Sequence, residues 1–478
     1  MHGAGGSRRL APIVAVAVLL AACAVPQAPT TPEPARDAPA MAVDVDRLVA
    51  HLAALQEIAD AHDGARASGT DGFDASAEYV VAELEQYGYH VDRQELTFAF
   101  FSEDEPVRVE IDAGEAWVGD EWLRAMLYSA SGDVGGRLVA VGMDGDGRPI
   151  GEGACDPASW GGVRAGDIAV AASGPCLRRQ QVELAQDAAA SAMIATYPTW
   201  GSGETRRPTL LAPDGIGIPV VAVGAEPAAA LVAAARDHAS ARVAVQASVE
   251  SRTTVNIVAE RRGTTSEVVM IGAHLDSVLD GPGVNDNGSG VAAILELSRV
   301  LAEQPESDRT IRFAFWAAEE FGVLGSTAYV EGLSGEERDD LIGYLNLDML
   351  ASPNPGRYVY DEASAAPGSQ SITDVLLAQL ELQGSAGLPI DLRGASDHGP
   401  FQRHGIPTGG VYSGAAEPMP VDDAELFEGQ AGEPMDPCYH LACDRLDAID
   451  AESLGTLTRA VGATLIELAS SAVEVAPE

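Results

Sequence analysis

Five side chains of types that bind divalent metal ions stand in separate, recognisable segments of the chain. They are His274 in IGAHLDS, Asp286 in GPGVNDNGSG, Glu320 in FWAAEEFGVLGS, Asp348 in GYLNLDM and His440 in CYHLAC. Two imidazoles and three carboxylates can hold a pair of divalent ions that share one carboxylate. A further carboxylate, Glu319, directly precedes Glu320 and is suited to take a proton from a water molecule in such a site. The set predicts a hydrolytic metal centre.

Apolar runs in front of these residues predict the elements that position them. VVMIGA precedes His274, RFAFWAA precedes Glu319 and Glu320, and IGYLNL precedes Asp348. Each run is typical of a buried strand, and α/β sheets place their ligands at the carboxyl ends of such strands. We therefore expect three strand ends to meet at one edge of a sheet.

Two further features complete the predicted site. Asp286 lies in a Gly-rich loop before a predicted helix, where small residues let the backbone approach the metal ions. Asp276, two residues after His274, is predicted to accept the other imidazole N–H and so to fix the tautomer of that ring. Each residue alone is common at a strand end or on a surface, but together they fill a complete ligand set with a base.

Length and pattern predict a multidomain α/β protein. With 478 residues and 46% hydrophobic residues, the chain is globular and too long for one ordinary core. We predict a mostly parallel sheet sandwiched by helices, formed by residues 44–102 and 251–475, and a β-rich domain inserted over residues 103–250. Helices are predicted over residues 45–61, 73–87, 180–192, 290–302 and 451–470, and a strand over residues 89–98.

Charge excludes one class of partner. Asp and Glu number 72 against 29 Lys and Arg, which gives a net charge of −43. Nucleic-acid binding needs a basic face, so no nucleic acid is expected as a partner.

The N-terminus predicts export. Ser7-Arg8-Arg9 precedes an apolar run that is too short to span a bilayer and ends in Leu-Ala-Ala-Cys23. This ending resembles a bacterial lipobox, so residues 1–23 are predicted to be a lipoprotein signal with Cys23 lipidated. Residues 24–43 are rich in Pro and predict a tether. The protein is expected in the cell envelope, touching a membrane only through the lipid, or else secreted by way of an ordinary cleaved signal.

Cysteine usage agrees with an exported protein. Without Cys23, four cysteines remain, and pairing neighbours gives Cys155–Cys176 and Cys438–Cys443. A zinc–thiolate site is the alternative, but the spacing offers no CxxC pair.

The motifs around the predicted ligands resemble a known family. HLDS, PGVNDNGSG, WAAEEFGVLGS, YLNLDM, SPNPG and CYHLACD are similar to the secreted bacterial di-zinc aminopeptidases of metallopeptidase family twenty-eight. The likeness covers roughly residues 255–470, with a fainter match around residues 45–100. It implies a mostly parallel sheet sandwiched by helices and a leucine-aminopeptidase-like activity.

The resemblance also implies roles for the predicted ligands. It implies two zinc ions per chain, with Asp286 bridging them. His274 and Asp348 would complete one zinc site, and Glu320 and His440 the other. His398 in ASDHGPF is the competitor of His440, but the CYHxxC motif favours His440, so His398 is predicted to be a structural or pocket residue.

Three catalytic features follow from the same resemblance. Glu319 would be the general base, and Tyr439 would donate a hydrogen bond to the developing oxyanion. The peptide bond between Asp286 and Asn287 would be cis. Tyr412 in GGVYSG is a candidate wall of the pocket for a large apolar first residue.

The middle of the chain resembles a protease-associated domain, on the segments GACDPASW, SGPC and QQVELAQDAAASAMIATY. Such a domain is not catalytic and is expected to shape substrate access or to bind partners.

The favoured function is therefore removal of one residue from peptides with a free N-terminus, by a monomer. The alternatives are a carboxypeptidase or dipeptidase of the same superfamily, a glutaminyl cyclase, and a catalytically inactive binding module. The first usually adds a dimerisation domain, for which this chain has little room. The second works with one zinc ion and a different ligand set, and the third lacks the ligands that are present here.

Overall fold

A computed structural model describes residues 42–470, apart from residues 113, 120, 173, 202, 363 and 364, together with residues 1 and 3. The predicted signal segment with Cys23 and nearly all of the predicted tether lie outside the described residues. Among the described residues, no helix is both long and apolar enough to cross a membrane.

Fourteen strands occur among the described residues. They are β1 (Val91–Ile111), β2 (Ala116–Val118), β3 (Leu123–Ala125), β4 (Gly132–Val141), β5 (Ile168–Ala172), β6 (Ala192–Thr196), β7 (Val220–Val223), β8 (Ser240–Arg261), β9 (Val268–His274), β10 (Thr310–Trp316), β11 (Leu341–Leu347), β12 (Tyr358–Tyr360), β13 (Leu388–Ile390) and β14 (Thr408–Tyr412).

Eleven α-helices accompany these strands in the described part of the chain. They are α1 (Val45–Ala61), α2 (Asp71–Gln86), α3 (Arg178–Asp187), α4 (Ala225–Arg236), α5 (Gly288–Ala302), α6 (Leu324–Gly332), α7 (Gly335–Asp340), α8 (Ser369–Leu382), α9 (His398–Arg403), α10 (Val421–Phe427) and α11 (Ala451–Leu468). Short 3-10 helices span Gly153–Cys155, Pro157–Gly162 and Leu446–Ala448.

The main domain is built on a sheet with parallel strands at its centre. Its strands lie in the order β13, β12, β14, β11, β9, β10 and β8, with β1 beyond β8. The four strands β14, β11, β9 and β10 run parallel. β12 pairs antiparallel with β14 and parallel with β13, and β8 and β1 pair antiparallel with their neighbours. Every residue of β9 is buried, as expected for a strand that is covered on both faces.

Helices cover both faces of this sheet. On one face, Leu48, Leu52 and Leu55 of α1 are fully buried and join a large core with α2, α5, α8 and α11. On the other face, the ring of Phe401 from α9 stacks on Tyr344 of β11, with centroids 3.8 Å apart. Burial of these leucine and aromatic side chains supplies most of the driving force for this packing. The predicted fold class is confirmed.

A long antiparallel ribbon joins the main domain to the β-rich domain. β1 pairs with β8 from Val91 opposite Ala259 to Ile111 opposite Ala241, so the chain enters and leaves the inserted part side by side. There β4, β5, β6 and β7 run parallel, and β3 pairs antiparallel with β7. Glu103 lies opposite Ala247 on the ribbon, close to the predicted boundaries at residues 103 and 250, which stay a prediction.

The observed bounds differ from the sequence predictions by more than two residues in two places. The helix predicted over residues 180–192 ends at Asp187, because Ala189 has a left-handed φ of 61° and the apolar residues from Ala192 onward form β6. The strand predicted over residues 89–98 continues to Ile111, because its partner β8 extends equally far.

Candidate metal centre

The sheet brings the predicted ligands to one edge. His274 ends β9 and pairs in parallel register with Trp316, the last residue of β10, so Glu319 and Glu320 follow at the same edge. Asp348 follows the end of β11, which also neighbours β9. The loops before α5 and α11 add Asp286 and His440. All five predicted ligands therefore meet.

One carboxylate lies at the middle of the group. Asp286 Oδ1 is 3.2 Å from His274 Nε2, and Asp286 Oδ2 is 3.0 Å from His440 Nε2. Asp348 Oδ1 lies 3.4 Å from His274 Nε2, and Glu320 Oε2 lies 3.2 Å from His440 Nε2. The five side chains thus form two half-sites that share Asp286.

Burial and charge shift the pKa values of this group strongly. Burial lowers the pKa of His440, but the carboxylates of Glu320 and Asp286 outweigh it and raise the pKa to about 10. Burial likewise lowers the pKa of His274, and Asp348 and Asp286 raise it well above its ordinary value. Such opposed shifts are typical of functional sites.

The donor set fits divalent metal ions of the zinc type. His274, Asp286 and Glu320 each offer one ligand atom within 4.8 Å of the others. Glu320 Oε1 and Asp348 Oδ1 are buried and have no hydrogen-bond partner among the described residues. Unpartnered buried acceptors are costly unless a cation satisfies them. Imidazole nitrogens with carboxylate oxygens are donors that zinc accepts.

His398, the competitor of His440, lies apart from these ligands. It is fully buried, and its Nε2 lies 2.7 Å from Glu362 Oε1. This side chain is committed to a hydrogen bond with Glu362 inside the main domain.

The loop that carries Asp286 is tied to the end of β11. The Asp286–Asn287 peptide bond is cis, which confirms the prediction. Asn287 Nδ2 donates to the carbonyl of Leu347 (2.8 Å), and Asn287 Oδ1 accepts from the N–H of Met349 (3.3 Å). These two backbone groups flank Asp348, so Asn287 fixes the distance between two predicted ligands.

Three non-glycine residues of the site have left-handed backbone conformations. Ala318, Met349 and His440 have φ values of 53°, 57° and 59°. Such conformations are uncommon without glycine and persist where the surrounding structure imposes them. Ala318 directly precedes the predicted base Glu319, Met349 directly follows the predicted ligand Asp348, and His440 is itself a predicted ligand.

Asp276 makes a different contact from the one predicted. His274 Nδ1 lies 3.0 Å from the backbone carbonyl of Asp276 and 3.8 Å from its carboxylate. The carbonyl is thus the nearer acceptor, because the carboxylate of Asp276 turns toward the segment that follows β10. There Asp276 Oδ1 accepts the backbone N–H of Glu319 at 3.2 Å. Asp276 therefore orients the segment of the predicted base as well as the ring of His274.

The predicted base is half-buried in an acidic surrounding. Burial raises the pKa of Glu319 well above its ordinary value; the imidazole of His274 opposes this shift, and the carboxylate of Glu320 reinforces it. A carboxylate with a raised pKa is suited to take up a proton and to return it.

Tyr439 stands beside His440, with ring centroids 3.8 Å apart. Burial and the carboxylates of Asp286 and Glu320 raise the pKa of its phenol well above the ordinary value, so the phenol stays a hydrogen-bond donor at neutral pH. A disulfide between Cys438 and Cys443 closes the loop around both residues, and the other disulfide joins Cys155 to Cys176.

Tyr412 lies in an apolar cluster next to Asp348. The cluster includes Met349, Tyr358, Met419 and Met435, and Tyr439 packs at its margin. The hydroxyl of Tyr412 donates to Glu417 at 2.9 Å, so its ring presents apolar surface with the polar end satisfied. Its role as a wall of the pocket for the first residue stays a prediction.

Sequence reasoning missed Asp444. Its carboxylate accepts the backbone N–H groups of Asn285 (2.8 Å) and Asp286 (3.0 Å). Asp444 is buried, and burial raises its pKa to about 8. The signal was present, since Asp444 directly follows Cys443 in the motif that contains His440.

Arg66 was also missed. Its guanidinium is fully buried and donates to the carbonyls of Leu275, Pro282 and Gly283. These carbonyls belong to the segment between His274 and Asp286. Burial lowers the pKa of Arg66 to about 10, so the side chain still carries its charge at neutral pH.

Replacing Arg66 by Met is expected to lower the free energy of unfolding by about 4 kcal/mol, because three buried carbonyls lose a charged donor. Urea denaturation measures the effect. Arg262→Met changes an exposed arginine and is the control, with an expected change within about 0.5 kcal/mol. Equal midpoints for Arg66→Met and Arg262→Met would contradict this role of Arg66.

Comparison with known proteins identifies the family. Residues 256–465 match the profile of Peptidase family M28, and residues 134–231 match that of the PA domain. The chain is 37% identical over 426 residues to the "Probable lipoprotein aminopeptidase LpqL" of Mycobacterium tuberculosis, covering 86% of this chain and 82% of that protein.

Two solved structures extend the likeness to the fold. The aminopeptidase from Aneurinibacillus sp. strain AM-1 superposes with a TM-score of 0.71 at 27% identity, over 91% of this chain and 96% of that one. BSAP, a zinc aminopeptidase from Bacillus subtilis, gives a TM-score of 0.68 at 25% identity, over 91% and 98%. With these matches, the chain belongs to peptidase family M28 and carries a PA domain.

Proposed function

We propose that the chain is an exported aminopeptidase that uses two zinc ions and removes large hydrophobic residues, such as Leu, Met or Phe, from the N-terminus of peptides. The observation that carries the proposal is the position of Asp286, with one oxygen toward His274 and the other toward His440. Members of family M28 depend on zinc, and the relatives above bear the name aminopeptidase. The names of these relatives support aminopeptidase activity, and the name of BSAP also supports zinc as the metal.

Five residues would hold the metal ions: His274, Asp286, Glu320, Asp348 and His440. When bound, zinc lowers the pKa of a water molecule and polarises the scissile carbonyl. Glu319 takes the proton of the attacking water and returns it to the leaving amine. The phenol of Tyr439 donates a hydrogen bond to the oxygen on which negative charge develops. Asp276 keeps the segment of Glu319 in place through its bond to the backbone N–H.

The exopeptidase character is assigned to two carboxylates. Glu319 and Asp348 are proposed to hold the free α-amine of the substrate, which places the first peptide bond at the reacting centre. The apolar cluster around Tyr412 and Met349 is proposed to receive the first side chain, because it lies next to Asp348.

Export through a lipoprotein signal is part of the proposal. The motif that ends in Cys23 predicts lipidation, and the relative from Mycobacterium tuberculosis bears the name lipoprotein. Two disulfides agree with an oxidising compartment. We propose that the enzyme acts as a monomer.

Cleavage of aminoacyl-p-nitroanilides tests the activity. The purified protein is expected to release p-nitroaniline from the Leu, Met and Phe compounds, to lose this activity with a chelator, and to leave the N-acetylated compounds intact because they lack a free amine. Release from the acetylated compounds would contradict an aminopeptidase. No release from any compound by zinc-loaded protein would favour the carboxypeptidase or binding-module alternatives.

A further inference from the structure

Arg206, a residue of the inserted PA domain, contacts the loop that carries Tyr439 and His440. Its Nε donates to the carbonyl of Tyr439 at 2.8 Å, and its Nη2 donates to the carbonyl of Pro437 at 3.3 Å. Arg206 is only 8% exposed, and its guanidinium lies over the ring of Trp200, 5.5 Å from the centroid. A planar guanidinium with several donors can hold two carbonyls of one turn at once.

The contacted loop also has restraints of its own, among them hydrogen bonds from the Tyr439 N–H to the Asp436 carbonyl (3.4 Å) and from the Leu441 N–H to the Cys438 carbonyl (2.9 Å). Residues 437–440 form a turn between regular elements, and His440 has a left-handed φ of 59°. The disulfide from Cys438 to Cys443 and the bond from the Cys438 N–H to Asp436 Oδ1 (2.8 Å) hold one side of the turn. Arg206 holds carbonyls on both sides of Cys438, so it restrains the turn from outside, from the PA domain.

The neighbouring residue keeps Arg206 in place. Arg207 lies 2.9 Å and 3.2 Å from the two oxygens of Asp280 and 2.6 Å from Glu103. All three side chains are largely buried. Asp280 belongs to the segment between His274 and Asp286. The backbone at residues 206 and 207 is therefore fixed against the main domain, which lowers the entropy cost of the contacts that Arg206 makes.

We propose that Arg206 is a positioning residue through which the PA domain sets the place of His440 and Tyr439. Building on the proposed two-zinc function, this means that Arg206 raises the zinc affinity of the half-site of His440 and Glu320. It leaves the half-site of His274 and Asp348 unaffected. Groups that orient a ligand from outside typically change metal affinity or activity 10–100-fold when they are removed.

The test is zinc binding to the purified full-length protein, measured by competition with a chromophoric chelator. Arg206→Gln is expected to weaken one of the two zinc equivalents about 10–100-fold and to leave the other unchanged. The kcat for Leu-p-nitroanilide should fall by a similar factor while KM changes less, because Tyr439 and His440 act at the reacting centre and Tyr439 lies only at the margin of the cluster proposed to receive the first side chain. Arg206→Lys keeps the charge with a single donor group and should lie between wild type and Arg206→Gln; it also serves if Arg206→Gln does not fold.

Arg179→Gln is the matched control. Arg179 donates to the carbonyls of Ala212 (2.9 Å) and Asp214, all within the PA domain. Its replacement should leave zinc affinity and kcat unchanged. Weakening of both equivalents by Arg206→Gln, or wild-type values of zinc affinity and kcat in this variant, would overturn the proposal.

A different outcome separates this proposal from the proposed function. If the wild-type protein binds a single zinc ion, the two-zinc function fails, and the kcat values decide on Arg206. A loss of kcat in Arg206→Gln, absent in Arg179→Gln and without a change in Tm, would then still support a positioning role. Equal kcat values in the two variants would overturn it.

Discussion

Replacing Glu319 by Gln is expected to lower kcat by about 10³-fold, within the range found when a general base is lost. Gln has the shape of Glu but cannot accept the proton of the attacking water. The five predicted ligands remain, so the variant should keep the zinc content of the wild type. Steady-state kinetics with Leu-p-nitroanilide and metal analysis of the same sample measure the two quantities.

The control for this variant is Glu331→Gln, which makes the same chemical change at an exposed residue. It should keep wild-type activity. Wild-type turnover in Glu319→Gln would refute the assigned base. Loss of turnover together with loss of zinc would instead place Glu319 among the ligands.

Replacing Asp286 by Asn is expected to lower the affinity for both zinc ions by more than about 10²-fold. Loss of a group that only hydrogen-bonds a metal ligand costs up to about 10²-fold, and loss of a ligand should cost more. One side chain serves both half-sites, since its two oxygens lie 3.2 Å and 3.0 Å from His274 and His440. Glu320→Gln removes a charge from one half-site only and should weaken one equivalent. Titration of the metal-free variants with zinc distinguishes the two patterns.

Asp339→Asn provides the control, because Asp339 is exposed on α7. It should bind zinc as the wild type does. If Asp286→Asn lost only one equivalent, the shared position of Asp286 would be wrong and another carboxylate would have to lie between the ions. If Glu320→Gln lowered the affinity for both zinc ions, the two half-sites would not bind zinc independently.

Much of the site was predictable because most of its metal-binding residues stand at or just after the ends of strands. Buried parallel strands are continuous apolar runs, and the polar residue that follows such a run must lie at the carboxyl edge of the sheet. His274 and Asp348 follow this rule, and the structure brings them together. The same reasoning predicted the main domain, whose helices and central strands lie near their expected bounds.

Other features depend on side chains that recognise the backbone. Asp444 binds two backbone N–H groups, and Arg66 binds three backbone carbonyls. Every residue presents these backbone groups, so the partner leaves no pattern in the sequence. The predicted contact of Asp276 differed for this reason: its backbone carbonyl, present at any residue, is the acceptor nearest to His274.

The sequence by itself determined the chemistry of the centre, because the types of its side chains and their places after apolar runs limit what can bind there. Only the tertiary structure decided how two loops far apart in the chain are held at that edge. Arg206 and Arg207 reach these loops from a domain that is inserted between the first strand and the ligands. Contacts between a guanidinium and a distant carbonyl or carboxylate depend on the packing of whole domains, which no local pattern specifies.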